Sequence, residues 1–165
     1  MADGRVTHAR SEDAHVLRYF GRVDYTLAPA VQHYVDHLLE DSGVVGFVFD
    51  LREARLVDST NLGLLARLAE RTRQGCGRRS VIVSTRDDIT DVLRSMGFDE
   101  IFDIVPEPPA PAGEPEDEIS VERPSQDDLL RTMLEAHRTL VTLNDKDREQ
   151  FQDVVVWLES EMGPR

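Results

Sequence analysis

Six residues, Val44-Val45-Gly46-Phe47-Val48-Phe49, form a nearly continuous apolar run of strand length. A half-exposed strand alternates apolar with polar residues, whereas a run like this has the pattern of a central strand covered on both faces. It therefore calls for sheet neighbours and covering helices. Upstream, Pro29 suits a first helical turn, and Val31, Tyr34, Val35, Leu38 and Leu39 make an apolar stripe that ends at Ser42-Gly43. Downstream, any of Asp58-Ser59-Thr60-Asn61 can cap a helix with Leu65, Leu68, Ala69 and Thr72 on one face, stopped by Gly75-Cys76-Gly77. His15–Phe20, closed by Gly21, reads as a first strand, and Ser80–Ser84 and Phe98–Val105 as later ones. Ile89, Val92, Leu93 and Met96, opened by Asp87 or Asp88 and closed by Gly97, mark a third helix. Strands alternating with helices over short turns predict an α/β fold with a mostly parallel sheet of four to five strands and crossover helices.

The chain changes character at Pro106. Residues 106–124, PEPPAPAGEPEDEISVERP, hold almost no large apolar side chain and read as an acidic, Pro-rich linker. The expected organisation is a domain over residues 1–105, the linker over 106–124 and a helical tail over 125–165. In the tail, Leu130, His137, Asn144, Phe151 and Leu158 are spaced seven apart, so one long amphipathic helix could present them on a single seam with Asn144 fixing its register. A helical hairpin is the alternative, with Asn144 capping a second helix that begins at Asp145. No Gly or Pro separates the two stripes, and both arrangements stay open. Trp157 stands just off the stripe, either packed within the tail or anchoring an interface.

Charge and missing motifs narrow the function. The net charge is −13, and residues 106–165 hold 6 Lys and Arg against 15 Asp and Glu, so the tail carries most of the acidity. Such a chain repels phosphate backbones and anionic headgroups, which argues against nucleic acid and membrane as partners. The start of the chain lacks the apolar run of a signal peptide, and no stretch approaches the ~18 apolar residues of a membrane span. A single cysteine, Cys76, fits a reducing cytoplasmic setting. Phosphate-cradling glycine loops, H-E-x-x-H and G-x-S-x-G are all missing, so neither catalysis nor a cofactor is expected. His33 and His37 lie one helical turn apart and read either as solvated residues beside the apolar stripe or as two metal ligands lacking a third. Arg78-Arg79 is a basic spot that reads as solvated surface or, less simply, as a phosphate site.

The informative segment is Leu56-Val57-Asp58-Ser59-Thr60-Asn61-Leu62-Gly63-Leu64-Leu65. It places an acid, two hydroxyls and an amide at a strand-to-helix junction, where free N–H groups and the helix dipole favour negative charge. Plain helix capping is one reading. The other is a phosphoacceptor, because open α/β sheets place their sites at the carboxyl ends of strands and a phosphate there is locally stabilised.

Together with Gly21-Arg22-Val23-Asp24 before it and Val92-Leu93-Arg94-Ser95-Met96-Gly97 after it, this segment resembles the STAS domains of anti-sigma factor antagonists in order and spacing over roughly residues 10–105. Asn61 departs from the Gly or Ala usual in that family. The resemblance implies a STAS-like fold and a non-enzymatic, cytoplasmic bacterial regulator acting by partner switching. It implies that Ser59 is phosphorylated by an anti-sigma factor that is also a serine kinase, and dephosphorylated by a PP2C-type phosphatase. The unphosphorylated antagonist would capture the anti-sigma factor and release its sigma factor; phosphorylation would reverse this. Asp24, Asp58, Ser59, Thr60 and Asn61 would form the partner-binding surface. Some antagonists of secretion and biofilm switches carry similar tails, which implies response-regulator-linked partners. For residues 125–162 the roles open are self-association, binding a partner helix, or covering the Ser59 surface. Two other readings remain: a STAS regulatory subunit of a transport complex, in which Ser59 is structural, and a small-ligand protein using Asp58, Ser59 and His33.

Overall fold

The computed structural model describes residues 4–11, 14–42, 46–110, 113 and 116–163. The chain runs β1 (Arg5–Ser11), β2 (Ala14–Val23), α1 (Ala28–Ser42), β3 (Phe47–Val57), α2 (Ser59–Cys76), β4 (Ser80–Val83), α3 (Asp87–Ser95), a 3₁₀ turn (Phe98–Glu100), β5 (Phe102–Val105), β6 (Asp117–Glu118), α4 (Gln126–Leu143) and α5 (Asp145–Met162). The sheet order is β5-β4-β3-β2-β1-β6. Pairs among β2, β3, β4 and β5 are parallel, and β1 runs antiparallel to both of its neighbours. The mostly parallel α/β sheet expected from the sequence is present, with six strands among the described residues rather than four to five.

The two extra strands, β1 and β6, lack the apolar alternation of a strand for physical reasons. β1 lacks alternation, since Thr7 and His8 are buried along with Val6 and Ala9. β6 is only two residues long and sits in the Pro-rich tract, where the Ile119 amide donates to the Val6 carbonyl at 2.9 Å and the Ile119 side chain enters the core. The strand expected over Val44–Phe49 starts at Phe47 and continues to Val57; Val44 and Val45 lie outside the described residues. Charged residues in its second half disguise it. Asp50, 4% exposed, accepts from the Arg52 guanidinium at 2.7 and 3.0 Å and faces Arg18 at 3.7 Å. The last strand is likewise shorter than expected, because Gly97 adopts φ 79° and turns the chain into the 3₁₀ segment before Phe102.

The covering helices share one side of the sheet, which corrects the expectation of cover on both faces. Val31 and Val35 of α1, Leu65 and Leu68 of α2, Ile89 and Leu93 of α3, Leu140 of α4 and Phe151 of α5 join Leu17, Tyr19, Phe47, Phe49 and Leu51 in one core. Phe47 and Phe49 project to the same face and stack at 5.6 Å, as residues two apart on a strand must. On the opposite face Val16, Val48 and Val83 form a small cluster of strand residues only, beside the ion-paired Arg18, Asp50 and Arg52.

The tail is a hairpin. Asn144, with extended φ and ψ, ends α4 and caps α5: its Oδ1 accepts from the Asp147 amide at 2.8 Å. Its Nδ2 donates to the Met96 carbonyl at 3.2 Å and to the Asp147 carboxylate at 3.0 Å, pinning the hairpin turn to the end of α3. Deeper in the stack, Gly63 of α2 lies so close to α4 that a Cβ there would sit 2.3 Å from the Ala136 carbonyl oxygen. A bare backbone at position 63 is what lets the two helices meet.

Near the sheet edge, His8 and His15 are buried side by side, with His8 Nε2 3.0 Å from His15 Nδ1 and His8 Nδ1 2.8 Å from the Tyr34 hydroxyl. Burial, followed by the charge of His8 and of Arg10, lowers His15 to about 4, and burial lowers His8 as well. The unfolded chain, with histidines near 6.5, binds protons that the folded state refuses. The contribution is therefore fully present above pH 6.5 and is lost as pH falls towards 4. We expect urea unfolding to show a loss of roughly 2 kcal/mol between pH 7 and pH 5. His15→Phe should flatten that loss; an equal slope in both chains would acquit His15.

Candidate functional site

The carboxyl ends of β2 and β3 finish side by side, with Val23 paired to Val57. Register shifts between Arg18 and Phe20 and between Gly21 and Arg22 set this alignment, and Gly21 takes φ 71° inside β2. The next residue on each strand is an aspartate. Asp24 turns the chain into α1 by accepting from the Thr26 amide at 3.0 Å and from the Thr26 hydroxyl, and it faces Arg22 at 3.7 Å. Asp58 caps α2: its Oδ1 accepts from the Asn61 amide at 3.0 Å and from Asn61 Nδ2 at 2.9 Å. The Asp58 amide and Asn61 Nδ2 both donate to the Val23 carbonyl, at 3.1 and 3.4 Å, so Asn61 ties the two strand ends together. Its amide oxygen is buried without a partner, and only 1% of the residue is exposed.

The two adjacent hydroxyls are placed differently. Thr60 is 2% exposed, whereas Ser59 is half-buried at the head of α2. The Ser59 hydroxyl lies 2.9 Å from Nε2 of His137, a residue of α4 that is 3% exposed. His137 Nδ1 lies 2.7 Å from the Met133 carbonyl, which can only accept. In the neutral ring Nδ1 therefore carries the proton, Nε2 is the acceptor and Ser59 donates. The ring stands edge-on to Phe151 with centroids 5.7 Å apart. A polar residue in the apolar seam Leu130, His137, Phe151, Leu158 was the sequence signal for this contact. What the spacing does not carry is which distant hydroxyl the imidazole meets.

His33 is not at this site. It pairs with Asp128 at 3.0 Å across α1 and α4, and His37 faces Glu40 at 3.5 Å. Among the described residues no group of three His, Cys, Asp or Glu side chains could hold a metal ion. Arg79 is structural: its guanidinium pairs with Asp103 at 3.1 Å and donates to the carbonyls of Asp99, Glu100 and Phe102, clamping the 3₁₀ turn onto β5. Beside the Ser59 junction, Arg55, Leu56, Val57, Leu62, Val92 and Leu93 are among the residues lining a mainly apolar hollow of about 130 Å³, open enough to leave Leu56 44% and Val92 46% exposed. Trp157, at 55% exposure, is not packed within the tail.

A family model described as the STAS domain matches residues 6–109. The fold is similar to a crystal structure of an anti-sigma factor antagonist from Mycobacterium paratuberculosis, with a TM-score of 0.55 and 21% identity over 64% of this chain and 87% of that one. A second similar structure is the anti-sigma factor antagonist SpoIIAA in its unphosphorylated form, with a TM-score of 0.45 and 15% identity over 55% and 81% of the two chains. No curated protein matches the sequence.

The cap makes a direct prediction. Asp58→Ala removes the acceptor of two N–H groups and should cost about 1–2 kcal/mol in urea unfolding, whereas Asp58→Asn, which keeps an oxygen there, should cost a few tenths. Equal losses would mean that the charge, not the cap, holds the junction.

Proposed function

The chain belongs to the STAS domain family, and from that premise we propose that it is an anti-sigma factor antagonist whose partner binding is switched by phosphorylation of Ser59. The observation that carries this reading is the contrast between neighbouring hydroxyls: Thr60 is buried, while Ser59 stands half-buried at the N-terminus of α2 beside Asp24 and Asp58. A helix N-terminus stabilises a phosphate, and the two carboxylates beside it make the modified surface strongly negative. The partner surface in this proposal comprises Asp24, Asp58, Ser59, Thr60 and Asn61, with Thr60 and Asn61 acting from beneath by holding the helix start in place. The apolar hollow with Leu56 and Val92 at its rim supplies desolvated contact area next to the switch.

In this proposal the unphosphorylated chain holds an anti-sigma factor with serine kinase activity and so frees a sigma factor. A phosphate adds about −1.5 to −2 charges to the contact surface and drives release. Each ~1.4 kcal/mol of repulsion is tenfold in affinity, so one modification is enough to reverse binding. A PP2C-type phosphatase resets the switch, and response-regulator-linked partners would connect it to a signal. The setting proposed is the cytoplasm; among the described residues no helix is long and apolar enough to cross a membrane. We also propose that residues 1–105 form the switching domain, with 106–124, which adds β6 to the sheet, as its connection to the tail at 125–165. The protein acts by binding and not by catalysis.

The test is phosphosite mapping by mass spectrometry after incubation with ATP and a lysate of the host. Phosphate is expected on Ser59 in the wild type and in Thr60→Ala, and lost in Ser59→Ala. Phosphate on Thr60 alone would reassign the site. No phosphate under any growth condition would favour a constitutive STAS subunit of a transport complex, a reading to which the Ser59–His137 hydrogen bond lends structural sense.

A further inference from the structure

The hydroxyl proposed as the switch is held by the C-terminal hairpin, and this contact has consequences for both. We propose that the α4–α5 hairpin is a cover over Ser59 that a phosphate on Ser59 loosens, so that the tail is a second moving part of the switch. The proposal deepens the phosphoacceptor reading and rests on it for its biological use.

The geometry leaves a phosphoryl group no neutral option. Only a hydrogen lies on the 2.9 Å line from Ser59 Oγ to His137 Nε2. A phosphorus with three oxygens on that line takes the space of the imidazole, which is 3% exposed and fixed by the Met133 carbonyl and the edge of Phe151. If the phosphoserine turns away instead, His137 Nε2 is left buried without a donor, which destabilises the docked helix. In both cases the middle of α4 loses its polar tie to α2.

The hairpin has other holds, which set how far the movement goes. Asn144 donates to the Met96 carbonyl, Lys146 donates to the Ser95 carbonyl at 3.1 Å, Arg67 pairs with Glu135, and Leu140 and Phe151 belong to the main core. One phosphate does not outweigh all of these. The displacement is therefore local, centred on the turn of α4 that carries Ala136 and His137, with the Asn144 end still anchored.

The experiment is hydrogen–deuterium exchange on the full chain, with and without phosphoserine installed at position 59 during translation. Amides of residues 134–140 should exchange at least tenfold faster in the phosphorylated chain, while those of β3 and β4 stay unchanged. Gly63→Ala loosens the same turn from the other side, since its Cβ would meet the Ala136 carbonyl. The unphosphorylated variant should reproduce the fast exchange, and phosphoserine should add little to it. His137→Ala, which puts no load on the α2 backbone, should do the same and keeps the test open if Gly63→Ala fails to fold. Unchanged or slower exchange at 134–140 in the phosphorylated chain would overturn the proposal; slower exchange would mean that a protonated His137 pairs with the phosphate and tightens the cover. Full additivity of phosphoserine with either variant would also overturn it. Because the phosphate is placed without a kinase, a negative phosphosite map sinks the function proposed above, and unchanged exchange sinks the cover alone.

Discussion

The packing of the tail on α2 depends on a backbone contact, and the geometry of that contact depends on one hydrogen. At Gly63 the absence of a Cβ lets the Ala136 carbonyl rest on α2. Glycine in a helix interior costs roughly 0.5–1 kcal/mol relative to alanine, so its presence in the middle of α2 needs a compensating gain. The gain in this structure is burial: α4 comes near enough for Leu140 to enter the core and for His137 to reach the Ser59 hydroxyl one turn earlier on α2. Arg67, one turn later, pairs with Glu135 and donates to Gln32, so the same strip of α2 holds α1 and α4 together. A tail displaced by one methyl group would lose the polar contact first, because hydrogen bonds tolerate less error in distance than apolar packing does.

The sheet is asymmetric in a way that places this contact. Among the described residues α1 to α5 cover one face, and the other carries a small valine cluster bordered by Arg18, Asp50 and Arg52. With every crossover on one side, the helices crowd, and the first turn of α2 is roofed by the tail. At the carboxyl ends of β2 and β3, Asp24 and Asp58 receive their N–H donors from their own turns, and Ser59 alone of these residues meets the hairpin, at His137. The hollow lined by Leu56 and Val92 lies outside that roof, so the junction has a covered side and an open side.

Much of this was legible in the sequence where one physical pattern dominates. The apolar stripes of α1, α2 and α3 and the run ending at Phe49 gave an α/β alternation, and a cap among Asp58, Ser59, Thr60 and Asn61 followed from residue type, with Asp58 singled out only by the fold. What stayed hidden was hidden for specific reasons. β1 buries Thr7 and His8, so its polarity disguises it, and the second half of β3 carries charges, of which Asp50 and Arg52 pair with each other while Glu53 and Arg55 face solvent, a composition that resembles a loop. β6 depends on pairing with β1 at His8 and Thr7, a long-range event that its own Asp117-Glu118 does not announce. The choice between a long helix and a hairpin turned on Asn144, whose decisive bond goes to Met96, a partner 48 residues away. His137 likewise was visible as a polar residue on an apolar seam, and only the fold supplies Ser59 as the hydroxyl it meets.

Two of the three segments that mark the family are also where the tail lands. Gly63 meets Ala136, and a Cβ at Gly97 would sit 2.9 Å from Asn144 Nδ2. The two glycines differ in why they must be glycine. Gly97 has φ 79°, a left-handed conformation that disfavours a side chain whatever packs on it, so the tail there exploits a turn the sheet domain needs for its own sake. Gly63 is helical, and nothing in its own backbone excludes alanine. Within this chain the hairpin packs on that bare backbone, at a glycine that already belongs to a segment marking the family. The Asn144 end is anchored on the turn that Gly97 makes, while the His137 end rests on the bare backbone of Gly63 and the Ser59 hydroxyl, and a hairpin held in that way pivots about Asn144 when the contact at Ser59 changes.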